Sequence, residues 1–231
     1  MTMLSLHIDN LAKSFPGLGS PVLLVDFLAI AAGERVAVTG GSGSGKSTFI
    51  NVVTGLERPT SGKVVWSGED VTRFSETARD RWRAEHVGLV MQDFHLFPGL
   101  SAVENVLLPA RLARVADAAL TARAHDLLKS VGLYRPDQKI ETMSRGEMQR
   151  VAIARAVLRK PGVIVADEPT ASLDLEAGEA VGRLLLDMAG ETGSTLIVVS
   201  HDQRLIGRLD RRLTLGAGRI VADGRGEEVA A

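Results

Sequence analysis

The sequence predicts an α/β protein: a mostly parallel sheet covered by helices on both faces, with a helical lobe inserted between strands. Three observations predict it. Short, nearly continuous apolar runs such as Val163–Ala166 and Leu196–Val199 alternate with helical stretches, the pattern of strands buried on both faces. Between about residues 98 and 160 the strand texture gives way to helical periodicity. The chain has 231 residues, 45% hydrophobic and 24% charged, which suits one domain with a sizeable core.

The elements follow in order. Leu4, Leu6 and Ile8 alternate with Ser5, His7 and Asp9, which marks a half-buried strand. A signal peptide would show a basic head and an unbroken apolar run instead. Strands are expected over Leu4–Ile8, Val22–Ile30, Arg35–Thr39, Lys63–Trp66 and Val87–Met91, with a helix from about Gly45 to Thr54. In the helical block, Leu120, Ala124, Leu127, Leu128 and Val131 keep one apolar face, and Val151, Ala154 and Leu158 keep another. Beyond Pro161 come a strand at Val163–Ala166, a helix at about Glu176–Ala189 and a strand at Leu196–Val199. A terminal strand pair, about Arg212–Leu215 and Arg219–Ala222, is joined by Gly216-Ala217-Gly218. The expected organisation is one domain over 1–231, with a core lobe at about 1–97 and 161–231 and a helical lobe at about 98–160.

Composition excludes several functions. With 27 Lys plus Arg against 28 Asp plus Glu, the net charge of −1 gives no general attraction for nucleic acid or an anionic membrane. Arg79, Arg81 and Arg83 around Trp82 are accordingly expected to form a solvated face, not a nucleic-acid patch. The absence of cysteine excludes disulfides and thiolate metal sites. The longest apolar stretch, Val22–Ala32, is broken by Asp26 and falls short of the roughly 20 residues of a membrane-spanning helix. An intracellular protein is expected, reaching a membrane only through a partner.

Chemistry concentrates at two places. Gly40-Gly41-Ser42-Gly43-Ser44-Gly45-Lys46-Ser47-Thr48 follows the strand Val36–Thr39 and has the pattern G-x-x-x-x-G-K-[ST] in the required strand–loop–helix setting. Glycines let the backbone wrap a phosphate with its N–H groups inward, and the following helix offers its positive end. Lys46 is then within reach of β- and γ-phosphates, and the Ser47 hydroxyl suits Mg²⁺. The second place is Asp167-Glu168, at the C-terminal end of the apolar strand Val163–Ala166, where parallel sheets gather ligands. Asp167 suits Mg²⁺ and Glu168 a water attacking the γ-phosphate, although an acidic pair before a helix is also an ordinary N-cap.

Together with Gln92 after the strand Val87–Met91, Ser144-Arg145-Gly146-Glu147 opening a helix, Ala171-Ser172-Leu173-Asp174, and His201 after Leu196–Val199, these motifs resemble the ATP-binding subunit of an ABC transporter. The resemblance covers almost the whole chain. It implies a P-loop NTPase core with an antiparallel β portion near the N-terminus and an inserted helical lobe. It also implies a dimer of ATP-binding subunits, here a homodimer, that sandwiches two ATP molecules with Mg²⁺ and drives an integral-membrane subunit by hydrolysis. Residue by residue, it implies Glu168, His201 and Gln92 in catalysis, and Ser47, Gln92 and Asp167 at Mg²⁺. The ATP site would comprise Phe15, stacked on adenine, and Gly40 to Thr48. Ser144, Arg145, Gly146, Glu147 and Asp174 would contact ATP or its site across the dimer.

Where the family has Leu-Ser-Gly-Gly-Gln, this chain has Met143-Ser144-Arg145-Gly146-Glu147. Ser144 and Glu147 keep a capping box, and the Arg145 guanidinium is left either in solvent or near the opposite phosphates. Phe94-His95-Leu96-Phe97-Pro98 is apolar and is expected to dock the membrane subunit, the alternative being local packing. Val87–Arg114 resembles the bacterial lipoprotein-releasing, macrolide-export and cell-division group, which implies a peripheral position on the cytoplasmic face of the inner membrane. The cell-division member keeps a second reading open: a nucleotide-dependent switch acting through a membrane partner without transport.

Overall fold

Strand pairing divides the β structure into two sheets in the computed structural model, which describes residues 3–225. The first is antiparallel, with β1 (Leu6–Lys13), β2 (Leu23–Ile30), β4 (Ser61–Trp66) and β5 (Glu69–Asp70) in the order β2-β1-β4-β5. The second contains β3 (Arg35–Thr39), β6 (Val87–Val90), β7 (Val163–Asp167), β8 (Thr195–Val199), β9 (Arg211–Gly216) and β10 (Arg219–Arg225). Its order is β10-β9-β3-β8-β7-β6, parallel throughout except for the terminal β9–β10 hairpin.

Period-two alternation explains how this sheet holds two layers apart. Val36, Val38, Val163, Val165, Ile197 and Val199 face the antiparallel sheet and α1 (Lys46–Val53), which contributes Phe49, Ile50, Val52 and Val53. Their neighbours Ala37, Ile164, Ala166, Leu196 and Val198 face the other way, against α3 (Ala102–Leu112), α4 (Ala118–Ser130), α5 (Arg145–Val157) and α6 (Leu175–Thr192). Each fully buried Val or Ile contributes about 1.5–3 kcal/mol, so a one-residue slip in any of these strands is heavily penalised.

The helices start where side chains satisfy their free N–H groups. Ser101 and Ser144 form capping boxes with Glu104 and Glu147, while Asp117 and Asp174 cap α4 and α6. Between β6 and α5 the approach is close. A Cβ on Gly88 would stand 2.6 Å from the Ala156 carbonyl oxygen.

Two features depart from the sequence expectation. Strand β1 runs on to Lys13, through an irregular register where Asn10 takes φ 48°. A helix, α2 (Glu76–His86), occupies the arginine-rich segment, capped by Ser75. Its composition is polar because only a narrow strip is buried: Arg79 is 8% exposed and Trp82 5%. The expected solvated face is therefore corrected for these two residues. Arg83 also turns inward, donating from Nη1 to the Gly55 carbonyl at 3.0 Å, just beyond the C-terminal end of α1.

Candidate active site

Parallel pairing brings the C-terminal ends of β3, β8, β7 and β6 to one edge in that spatial order. The residues that follow these strands are therefore set side by side: the glycine loop after β3, His201 after β8, Asp167-Glu168 at β7 and Gln92 after β6.

Gly40 opens the loop at φ 145°, and a Cβ there would lie 2.3 Å from the Leu215 carbonyl oxygen. Only glycine satisfies both the conformation and the close approach. Gly45 stands at the N-cap of α1 in the left-handed region, with no side-chain cap and no acid in the first turn. The amides at the start of α1 thus face outward without a carboxylate in place. Ser44 is buried and its Oγ has no partner, while Lys46 Nζ donates to the Gly40 and Gly41 carbonyls at 2.8 and 2.9 Å. The β9–β10 turn braces this loop, Gly218 N–H donating to the Ser44 carbonyl at 3.1 Å. That brace joins segments some 170 residues apart, and nothing local in the sequence signals it.

Asp167 ends β7 in a half-buried position, and burial pushes its carboxyl pKa up, helped by the Glu168 charge and opposed by Lys46. Glu168 takes φ 47°, a left-handed backbone whose cost is about 1–3 kcal/mol for a side-chain-bearing residue. Its amide is anchored to the Val199 carbonyl at 2.8 Å. Glu168 Oε2 is buried without a hydrogen-bond partner, although His201 Nδ1 stands 2.9 Å away, outside hydrogen-bond alignment. A directed, dry carboxylate oxygen of this kind is suited to orient or accept a proton from water.

A second cluster forms at the start of α5. Ser144 Oγ accepts from Glu147 N–H, and Glu147 Oε2 accepts from Ser144 N–H at 2.8 Å, which holds the Glu147 carboxyl below the usual carboxylate range. A cavity of about 500 Å³ lies between this cap and the segment Ser172–Ala177, including Asp174. The Arg145 guanidinium lies along its own chain: Nε donates to the Ser172 carbonyl at 3.2 Å, and Cζ stands 5.0 Å from the centre of the Phe94 ring.

The segment after Gln92 divides between the two sequence readings. Phe94 is 6% exposed and Leu96 packs on the core, so these two turn inward, against the expectation of an exposed patch. Phe97 is 54% exposed, and it lines with His95 a groove of about 620 Å³ that also includes Leu89, Met91 and Pro109. Two residues the sequence reading did not single out hold this segment. Half-buried Arg155 donates to the His95 and Phe94 carbonyls at 2.5 and 2.6 Å, and fully buried Asn105 bonds both backbone groups of Phe97. Phe15 stands just beyond β1, with Lys13 Nζ 4.7 Å from its ring centre.

The chain as a whole is similar to known proteins. The ABC transporter family profile matches residues 26–171. The chain is 41% identical over 217 residues to the lipoprotein-releasing system ATP-binding protein LolD of Nitratidesulfovibrio vulgaris (strain Hildenborough), covering 93% of each chain. It is 40% identical to LolD of Shewanella sp. (strain MR-4), covering 94% of this chain and 95% of the relative. It superposes on the dimeric ATP-binding cassette MJ0796, in a post-hydrolysis state bound to ADP and phosphate, with a TM-score of 0.86 and 33% identity over 95% and 98% of the chains. CbiO1 of Clostridium perfringens, part of an ABC transporter complex, matches with a TM-score of 0.86 and 29% identity over 97% and 89%. The phosphate-loop geometry and these relationships agree: the chain belongs to the ABC transporter family, among its ATP-hydrolysing, nucleotide-binding subunits.

Proposed function

We propose that two copies of this chain close head to tail on two ATP molecules and that hydrolysis drives an integral-membrane partner from the cytoplasmic face of the inner membrane. The observation that carries this is the single sheet edge on which the phosphate loop, His201, Asp167-Glu168 and Gln92 meet. The dimeric state of the matching cassette supports the pairing. Among the described residues no helix is long and apolar enough to cross a membrane, so the partner supplies the span.

In this reading Gly40 to Thr48 hold the phosphates, with Lys46 at the β- and γ-groups, and Phe15 stacks on adenine. Ser47, Asp167 and Gln92 provide the hard oxygen donors that suit Mg²⁺, and burial of Asp167 beside Glu168 favours a nearby cation. Bound there, Mg²⁺ would neutralise charge on the phosphate oxygens. Glu168 orients and deprotonates the attacking water, and His201 faces the γ-phosphate. Ser144, Gly146 and Glu147 present the start of α5 to the opposite ATP, and Asp174 links the two sites. The lobes divide at about residues 97 and 161, and the groove with His95 and Phe97 receives a short helix of the membrane subunit.

The identity to LolD proteins supports membership of the lipoprotein-releasing group over the macrolide-export and cell-division alternatives. The test is reconstitution with a membrane subunit that co-purifies with this chain. ATP should release a lipidated protein from proteoliposomes, and Glu168→Gln should abolish release. Hydrolysis without release would favour the nucleotide-dependent switch.

A further inference from the structure

We infer that Arg145 is a positioning residue, an intramolecular latch that fixes the start of α5 to the loop after Gln92 and to the segment leading to Asp174. The inference rests on the ATPase reading for its kinetic consequence and on geometry for the latch itself.

The loop after Gln92 is held in an unusual shape. Phe94 and His95 both have left-handed backbones, at φ 60° and 46°. Side-chain-bearing residues keep such conformations only when their surroundings enforce them. Asn105 of α3 holds the far end of this loop at Phe97, and two groups from α5 hold Phe94 and His95. Arg155, near the C-terminal end of α5, is half-buried and donates to the carbonyls of Phe94 and His95. Arg145, in its first turn, sets its guanidinium over the ring of the same Phe94, 5.0 Å from its centre, and that ring is itself buried. A helix rises about 1.5 Å per residue, so these arginines bracket the loop from points roughly 15 Å apart. An element gripped at two such points moves with the helix and not independently of it.

Arg145 also reaches a third segment. Its Nε–H donates to the Ser172 carbonyl, four residues beyond Glu168 and two before the α6 cap Asp174. One guanidinium thus joins the start of α5, the Gln92 loop and the stretch between Glu168 and Asp174. Planarity makes this dual use available, because a guanidinium can offer its face to a ring while its edge donates in plane. Glycine, which the family pattern has at this position, supplies neither contact. With both contacts made inside its own chain, the guanidinium positions the capped serine instead of contacting the opposite phosphates.

The experiment measures steady-state ATP hydrolysis by the full-length chain, with hydrogen exchange of the peptide spanning residues 93–97 in the nucleotide-free protein. Arg145→Ala should lower kcat about 3- to 5-fold, with KM for ATP within about twofold, the scale of a cation over a ring and one hydrogen bond. Phe94→Leu should lower kcat similarly, and the double variant should fall no further, because both single changes open the same latch. Arg145→Lys should recover part of the loss, since it keeps the charge over the ring but loses the planar edge. Exchange at 93–97 should quicken in Arg145→Ala.

A raised KM with unchanged kcat, fully additive losses, or unchanged exchange would each overturn the latch. Lys46→Ala is the control for the ATPase reading. If wild-type hydrolysis does not depend on Lys46, that reading fails, and the exchange measurement still decides the latch.

Discussion

His201 Nδ1 lies 2.9 Å from Glu168 Oε2, tying together residues that follow two adjacent parallel strands. The contact needs no long-range adjustment. Register places Asp167 opposite Val199, and the Glu168 amide bonds the Val199 carbonyl, so the two loops leave the sheet side by side. Glu168 is thereby aimed by its backbone, at the cost of a left-handed φ.

Glu168→Gln keeps the shape and removes the base. ATP turnover should fall by about 10² or more, the scale of general-base catalysis, while ATP remains bound. The variant should run as a dimer on size-exclusion chromatography with ATP and as a monomer without it. Wild-type turnover in this variant would remove Glu168 from the role of base.

Asp167→Asn should separate stability from function. Because the folded-state pKa of Asp167 lies above its unfolded value, burial foremost and Glu168 second, its ionised form costs folding free energy above that pKa. The Asn variant should therefore melt higher without nucleotide, by about 2–4 °C for each kcal/mol relieved, and should lose hydrolysis. The thermal advantage should shrink as pH falls through the raised pKa, where the wild-type carboxyl takes up its proton. A lower melting temperature at neutral pH would contradict this electrostatic account.

Gly88→Ala tests the β6–α5 approach. Its Cβ would meet the Ala156 carbonyl oxygen at 2.6 Å and Pro161 Cγ at 2.9 Å, neither of them a flexible chain end. Overpacking of this kind costs about 1–3 kcal/mol, visible as a lower melting temperature. An unchanged melting temperature would mean that the helix sits farther from the strand.

Glu147→Ala should cost about 1 kcal/mol by opening the capping box, and Glu147→Gln much less. The Ser144 N–H bond holds the Glu147 pKa low, so the carboxylate contributes above its unfolded pKa. That contribution is lost as pH falls through the depressed folded value. Denaturant melts of wild type and Glu147→Ala should therefore converge in acid, and a gap independent of pH would exclude the carboxylate as the source.

What the sequence made legible was local. Gly40, Gly45 and Lys46 serve a loop whose geometry is set within nine residues, and strands β7 and β8 announce themselves by unbroken apolar runs. The sequence predicts parallel strands but not their order, and the position of Glu168 beside His201 depends on β7 and β8 being neighbours. The hidden parts depend on distant partners. Arg79 looks solvated because arginine usually is, yet the packing of α2 buries it. Phe94 looks like surface until Arg145 and Arg155 approach it from α5. Asn105, inside an apolar helix, shows its use only when the Phe97 backbone arrives beside it.

The central claim is that Lys46, held at the mouth of the glycine loop, serves ATP hydrolysis. The most direct measurement is phosphate release from ATP by the purified full-length chain with Mg²⁺, beside Lys46→Ala of equal folded content. The account predicts steady turnover in the wild type and a loss of about 10² or more in the variant. Equal rates in the two proteins would contradict it.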